Sequence, residues 1–270
     1  MEKKYLKKKT VLTLSVVLLI MSQYIVFCTA QEIPSDIETK DIEISLSNAN
    51  TSYENGDFKT AVHIYKTLID KGEISGGIYF NLANSYFKEG DLAHSILNYR
   101  RAQSLTPRDI ELIENLEYAR ALTADEFSQT DRLNLYHYYD KLRSQLSIIE
   151  LSLITSISYF VLAILFSVII YSEHPFRIHL KKACLGLLII ALAAGATLSQ
   201  TLYERSATPE AIVMNDRLEI RSGPGNDFST SFILHAGAEI KILRTRDNWA
   251  KILFPTAGSG WAEIEYLEKI

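Results

Sequence analysis

The segment RSGPGND, residues 221–227, is the stretch of this sequence that could most readily hold a phosphate. Two glycines flank a proline directly after the strand-like residues LEI. A phosphate site would need a following helix, which supplies amide donors and a helix dipole, or a lysine in the Walker position. The residues that follow, NDFSTSFIL, supply neither. We therefore expect a simple turn, in which Gly223 and Gly225 allow positive φ and Pro224 stiffens the bend.

Other arrangements capable of catalysis are not found in the sequence. None of the six histidines stands at metal-ligand spacing from another histidine, a cysteine or a carboxylate. No GxSxG, HExxH or Walker lysine motif occurs. The two cysteines, Cys28 and Cys184, lie in apolar segments and predict no disulfide. We expect a protein that is not an enzyme, with no catalytic residue, metal site or cofactor.

Three apolar segments predict a membrane protein. The first, residues 11–27, follows five lysines and predicts a signal peptide over residues 1–30, cleaved near Ala30; an uncleaved anchor is the alternative. The other two, residues 151–172 and 183–203, contain no charged residue. Each is long enough to cross the lipid bilayer, whose hydrocarbon core needs a helix of about 20 residues.

Charge predicts the orientation of these two spans. The loop between them, residues 173–182, carries Arg177, Lys181 and Lys182 against one glutamate. Short basic loops and lysine-rich amino termini stay in the cytoplasm. We therefore expect residues 146–203 to form two spans in a bacterial inner membrane. Residues 31–145 and 204–270 would then both lie in the periplasm.

A 34-residue repeat precedes the spans. ENGD at 54–57 recurs as KEGD at 88–91. The same offset relates Ala49 to Ala83, Tyr53 to Phe87, Tyr65 to Tyr99 and Asn81 to Asn115. YFNLANSYFKEGDLAHSILNYRRAQSLTP, residues 79–107, resembles a tetratricopeptide unit, whose period is 34 residues. The resemblance implies an all-α array with repeats over 42–75 and 76–109 and a capping helix over 109–124.

This resemblance implies a peptide-binding groove on the first helix of each hairpin. Family members often use an asparagine there to bond a ligand backbone, and Asn50 and Asn84 are one period apart. Phe80 and Phe87 are expected beside Asn84 on one exposed side of a helix. Leu46 and Phe80 replace the lysines with which some relatives bind a terminal carboxylate, so that mode is not expected. The implied groove residues are Leu46, Asn50, Tyr53, Phe80, Asn84, Phe87 and Lys88.

The charge of the repeat region favours a protein partner. Residues 31–145 carry 12 lysines and arginines against 19 acidic residues, a net charge of −7. Such a surface repels anionic lipid and nucleic acid and attracts basic protein segments. A solvated acidic face without a partner is the alternative.

The carboxy-terminal residues predict a small all-β domain. AIVM, LEIR, EIKILR, WAKILF and GWAEI read as five short strands, with TRDN as a hairpin turn. LEIRSGPG, LHAGAEIKIL, NWAKI and GWAEIEYL resemble a bacterial SH3-like barrel in order and spacing. Exported relatives are linked to cell-wall peptides, so Trp249, Trp261 and Tyr266 are either barrel core or a wall-binding site.

The order of these parts resembles the E-type member of the Bacteroides aerotolerance operon family. That resemblance implies a non-enzymatic membrane scaffold in stress tolerance or envelope maintenance. The implied partners are membrane proteins with von Willebrand A domains and a MoxR-type ATPase system. A sensor whose SH3-like domain binds peptidoglycan is the alternative function.

Reporter fusions test the predicted orientation. A reporter active only outside the cytoplasm should be active when fused after Thr106 or Ile270 and inactive after Lys182, because only the basic loop is expected inside. Activity of the Lys182 fusion would contradict the two-span arrangement.

Overall fold

The structure, a computed structural model, describes residues 36–125, 139, 142–171 and 177–270, and the predicted signal peptide lies outside them. The chain forms two compact units. The described parts of the smaller unit are residues 148–171 and 177–201. The larger unit contains residues 36–147, as far as they are described, and 202–270. The coarse prediction of helices, two long apolar helices and a β domain is confirmed.

The larger unit begins with two helical hairpins and a further helix, which we call the helical array. Its helices pack against one another in chain order. Their bounds are α1 Asp36–Glu54, α2 Phe58–Asp70, α3 Gly76–Glu89, α4 Leu92–Leu105 and α5 Ile110–Ala121.

The repeated glycine and aspartate form the turn within each hairpin. Gly56 and Gly90 have φ of +79° and +84°, a backbone conformation that glycine adopts without steric strain. The following aspartates, Asp57 and Asp91, begin the next helix as N-caps. Their carboxylates accept hydrogen bonds from the backbone nitrogens three residues later, at 3.2 and 3.0 Å. ENGD and KEGD are therefore helix stop and start signals.

Repeat-related positions form the array's core. Ala49 and Ala83 are fully buried one period apart, where a small side chain lets helices approach closely. Tyr65 and Tyr99 are also buried, at 1% and 2% exposure. The same packing solution is therefore used twice in succession.

The two long apolar helices are α6 Ile148–Tyr171 and α7 Arg177–Ala207. All of α6 and most of α7 belong to the smaller unit, whereas the last residues of α7, 202–207, belong to the larger one. Both are long and apolar enough to cross a membrane. Their side chains are mostly exposed, whereas a core helix of a soluble protein would be mostly buried. The helices approach each other at Gly195, where an added Cβ would lie 3.7 Å from the Tyr159 hydroxyl. Helix α7 begins at Arg177, so the end of the predicted basic loop is helical.

The β domain is one antiparallel sheet with strand order β3-β2-β6-β5-β4-β1-β7. The predicted turn between β4 and β5 is present, with Asp247 at φ +53°. The prediction of five strands omitted β3 and β7. The strand bounds are β1 Glu210–Val213, β2 Leu218–Arg221, β3 Thr230–Leu234, β4 Glu239–Arg246, β5 Trp249–Phe254, β6 Gly258–Glu263 and β7 Leu267–Lys269.

The RSGPGND loop joins β2 to β3, and no helix follows it. The expected reason for its glycines was wrong, because neither Gly223 nor Gly225 has positive φ. Instead, the ring of Phe228 folds over the loop. A Cβ on Gly223 would clash with that ring, so the position favours a glycine for space. The Arg221 guanidinium holds the loop by donating to the carbonyls of Asn226 and Phe228, at 2.7 and 3.0 Å.

Strand β1 joins the β domain to the helical array. Successive side chains of a strand point to opposite faces of the sheet. Ala211 and Val213 accordingly belong to the core of the sheet, whereas Ile212 is buried in the core of the array among residues of α4 and α5. Gly237 is also packed tightly against the array. A Cβ there would lie 2.9 Å from Thr123 and 3.1 Å from Ile96.

Ion pairs surround this apolar contact. Glu239 lies opposite Ile212 on the neighbouring strand and accepts two bonds from Arg120, at 2.6 and 3.0 Å. Their side chains are only 10% and 12% exposed. Burial opposes the charge on Arg120, but the Glu239 carboxylate outweighs it and raises the pKa of the guanidinium. Arg100 contacts the same carboxylate at 3.2 Å and also pairs with Glu210.

Replacing Glu239 with alanine should strongly destabilise the larger unit. The change leaves the charge of Arg120 buried without its main partner, and breaking such a pair costs about 3–5 kcal/mol. Thermal unfolding in detergent, followed by far-ultraviolet circular dichroism, measures the loss. The control is Glu117→Ala, which removes a 59%-exposed partner of the same arginine and should cost under about 1 kcal/mol. Equal effects of the two changes would contradict the role of Glu239.

Candidate functional site

The helical array contains a cleft of about 290 Å³ between α1, α3, α4 and α5. This volume is near the lower limit for a site that holds a small molecule or a short peptide segment. Four residues of the predicted groove line the cleft, namely Tyr53, Asn84, Phe87 and Lys88. Its other lining residues are Tyr99, Glu111, Asn115 and Tyr118.

The two asparagines related by the repeat, Asn50 and Asn84, accept hydrogen bonds that connect helices of the array. The hydroxyl of Tyr99 donates to Asn84 Oδ1 at 2.5 Å, and Asn115 Nδ2 donates to the same oxygen at 3.4 Å. One period earlier, Tyr65 and Asn81 donate to Asn50 Oδ1 at 2.6 and 3.3 Å. We call these two sets of contacts the tyrosine–asparagine rungs. Each rung connects both helices of one hairpin to the first helix of the next.

The rungs determine which hydrogen-bonding atoms remain available. Burial raises the pKa of Tyr65 to about 12 and also raises that of Tyr99, so both phenols are protonated donors at neutral pH. The Asn84 oxygen is occupied by its two donors. Its Nδ2 donates to no other described residue, and Asn84 is half-buried at the wall of the cleft. The cleft therefore presents an amide donor suited to a carbonyl oxygen.

The aromatic residues of the predicted groove are more buried than expected. Phe80 and Phe87 are half-buried and pack against the array core, so neither is a fully exposed anchor. Phe80 contacts the ring of Tyr99, with ring centroids 5.9 Å apart, and does not line the cleft. Phe87 does line it and contacts Tyr118 at 5.7 Å. Leu46 packs against the core near α1 and α2 and also lies outside the cleft.

The most exposed cleft residues come from α3 and α5. Lys88 lies in the last turn of α3, and Glu111 lies in the first turn of α5. Both are exposed, and neither forms an ion pair with another described residue. Tyr118, which is 61% exposed, completes this edge. The cleft thus combines one cation, one anion, amides and phenols.

Sequence reasoning missed four lining residues, although the repeat contained a signal for some of them. Adding one more period to Asn84 gives position 118, which is Tyr118. Asn115 had been recognised as the repeat of Asn81 but was not placed in the groove. Tyr99 was recognised as the repeat of Tyr65 but was likewise not placed in the groove. Glu111 had no signal, because its role depends on how α5 folds back against α3.

Among the described residues, no group of three or more histidine, cysteine, aspartate or glutamate side chains could hold a metal ion. Neither tryptophan belongs to an apolar core cluster of the described residues. Trp261 is nevertheless only 6% exposed, and Tyr266 packs against the sheet core.

Comparison with known proteins adds no identification. No protein-family model matches the chain, and no curated protein shows significant similarity to it.

The rung at Asn84 gives a quantitative test of the repeat. Tyr99→Phe should cost about 1 kcal/mol of unfolding free energy, the usual net contribution of a hydrogen bond. Asn84→Ala should cost about 1–3 kcal/mol, because the buried Tyr99 hydroxyl loses its acceptor. Denaturant unfolding of both single variants and the double variant measures a coupling energy, expected to be about 1 kcal/mol.

The earlier rung supplies the matched control. Tyr65→Phe should have the same effect as Tyr99→Phe, because the two hydroxyls make equivalent bonds. Strictly additive effects of Tyr99→Phe and Asn84→Ala would show that the rung is not an energetic unit.

Proposed function

We propose that this protein is a non-enzymatic membrane scaffold that binds a partner protein in the cleft of its helical array. The array is interpreted as tetratricopeptide-like, and the β domain as a bacterial SH3-like domain. The 34-residue period supports the first interpretation, since it extends from the turns to the two tyrosine–asparagine rungs. The strand order and turns of the β domain are compatible with the second.

The single observation that carries the binding proposal is the set of hydrogen-bonding groups in the cleft. Asn84 Nδ2 offers a donor for the carbonyl of an extended chain, and Lys88 and Glu111 offer opposite charges at the edge. An extended peptide has regularly spaced carbonyl and amide groups that such a cleft satisfies. The aromatic pair of Phe87 and Tyr118 supplies an apolar surface for one of its side chains.

The location proposed for this scaffold is a bacterial inner membrane, with the helical array and the β domain in the periplasm. Two apolar helices of sufficient length support the membrane location. The orientation rests on the basic residues between them. By resemblance to the aerotolerance family, the partners are von Willebrand A-domain membrane proteins and a MoxR-type ATPase system.

Changing two exposed cleft residues tests the function without disturbing the core. Lys88→Glu with Tyr118→Ala reverses one charge and removes one aromatic ring. Loss of an aromatic anchor alone commonly costs 2 kcal/mol or more of binding, roughly a thirtyfold loss of affinity. The double variant should keep its unfolding midpoint but lose the proteins that co-purify from membranes in mild detergent, as identified by mass spectrometry.

The control changes one lysine and one large exposed residue outside the cleft. Lys66 is exposed on α2, and Ile74 is 61% exposed, the same fraction as Tyr118. Lys66→Glu with Ile74→Ala should retain every partner. Retention of the partner by the Lys88 and Tyr118 variant would place binding elsewhere on the protein.

A further inference from the structure

One face of the β domain carries an uncompensated row of cations. Arg244 on β4 lies directly opposite Lys251 on β5, and Lys251 lies opposite Trp261 on β6. Among the described residues, neither cation forms an ion pair with a carboxylate. Like charges directly opposite each other on a sheet are destabilising. Their pairing indicates a surface suited to an anionic ligand.

The ring of Trp261 contacts one of these two cations. The Arg244 guanidinium lies 5.0 Å from the centroid of the Trp261 ring, within the range of a cation–π contact. This contact leaves the guanidinium on the surface, where Arg244 is exposed. The neighbouring row pairs Arg246 with Trp249, which is half-buried. Both tryptophans of the whole chain therefore lie on this face. Arg246 also lies 3.9 Å from the Asp247 carboxylate, and Glu263 lies opposite Trp249. Arg244 and Lys251 are therefore the cations of this face that have no carboxylate partner among the described residues.

The helical array covers only the acidic end of the same face. Glu239 and Lys241 are two residues apart on β4, so their side chains share one side of the strand. Glu239 is buried against Arg120 of the array, whereas Lys241 is exposed and lies 3.5 Å from the Glu210 carboxylate. The array thus satisfies the carboxylates near β1. It leaves the cations of β4 and β5 uncovered.

Apolar side chains are interspersed with these cations. Leu253 lies opposite Lys241 and is 37% exposed, and Leu243, at the bulge in β4, is 39% exposed. We call the surface formed by Lys241, Leu243, Arg244, Arg246, Trp249, Lys251 and Leu253 the cationic face. A mixture of Lys or Arg with Trp and Leu is typical of surfaces that lie in the headgroup region of a bilayer. An acidic peptide would need only the cations, so the leucine and tryptophan side chains favour a lipid surface.

We propose that the cationic face binds the anionic headgroups of the lipid bilayer. The proposal rests on the proposed membrane location of the chain. The chain connection between α7 and the β domain supports the proposal. Strand β1 begins at Glu210, three residues after the end of α7 at Ala207. Only two residues separate α7 from β1, so the connection contains no long linker. Phosphatidylglycerol supplies the required phosphate charge beside an acyl region that accommodates leucine and tryptophan.

The two tryptophans provide a direct measurement. The full chain is reconstituted into nanodiscs of phosphatidylcholine alone or with about one third brominated phosphatidylglycerol, an anionic lipid that attracts basic residues by about 1 kcal/mol each. Tryptophan fluorescence should be quenched in the anionic nanodiscs. Raising the salt from about 0.1 M to about 1 M should relieve the quenching, because the screening length falls from about 10 to about 3 Å. A matched nanodisc with brominated phosphatidylcholine controls for proximity without charge.

Charge variants identify the face responsible. Arg244→Gln with Lys251→Gln should weaken docking about thirtyfold and reduce quenching to the level in brominated phosphatidylcholine. Arg244→Glu with Lys251→Glu should abolish the docking. Circular dichroism shows whether each variant folds. The control, Lys59→Glu with Lys66→Glu, reverses two exposed charges on α2 and should leave quenching unchanged.

Several outcomes would overturn the proposal. Equal quenching by the two brominated lipids, or quenching that survives in the glutamine variant, would exclude recognition of anionic headgroups by this face. A fluorescence change produced by a glutamate-rich peptide in phosphatidylcholine nanodiscs, without one from phosphatidylglycerol, would assign the face to an acidic protein instead. Failure of the chain to enter nanodiscs would contradict the membrane location itself. None of these outcomes concerns the cleft, whose partner is tested with separate variants.

Discussion

Glu239 lies where two arginines from different helices converge on one strand of the β domain. Its carboxylate is bonded to Arg120 and contacts Arg100, and all three groups are largely removed from water. A charge in such a position is stable only while its partners remain in place, because an unpaired buried ion carries a large desolvation penalty. The helical array and the β domain are thereby required to fold as one unit. The apolar contact of Ile212 with the array core lies at the centre of this arrangement.

The contact between the helical array and the β domain compensates for the short length of the array. Stacked helical repeats normally need about three units to bury a continuous core. Here α5 stands alone after two hairpins, and its inner side would be left without a following repeat. Strand β1 and the loop at Gly237 cover α4 and α5 instead. The β domain serves as the cap of the array, and the cleft is lined by other residues of α1, α3, α4 and α5.

The same arrangement divides the surface by charge. Acidic residues of β1, β4 and β7 pair with arginines of the array, whereas Arg244 and Lys251 have no carboxylate partner among the described residues. The β domain, whose net charge is small, can therefore present a basic surface in one place. Folding, rather than composition, produces that separation. The polar cleft and the cationic face consequently belong to different elements of the unit and can act independently.

The sequence by itself determined the local structure and the repeat. Glycine and aspartate at fixed offsets specify the hairpin turns, and the uninterrupted apolar segments specify α6 and α7, because these signals act within a few residues of the chain. The sequence predicted Asn84 as a groove residue but not that its oxygen accepts a hydrogen bond from Tyr99, because Tyr99 comes from another helix. Only the tertiary structure decided that Arg120 meets Glu239, that the ring of Phe228 lies where a side chain at Gly223 would clash, and that Glu111 reaches the cleft. Such contacts join residues distant in sequence or depend on a loop's path, and no periodic pattern records them.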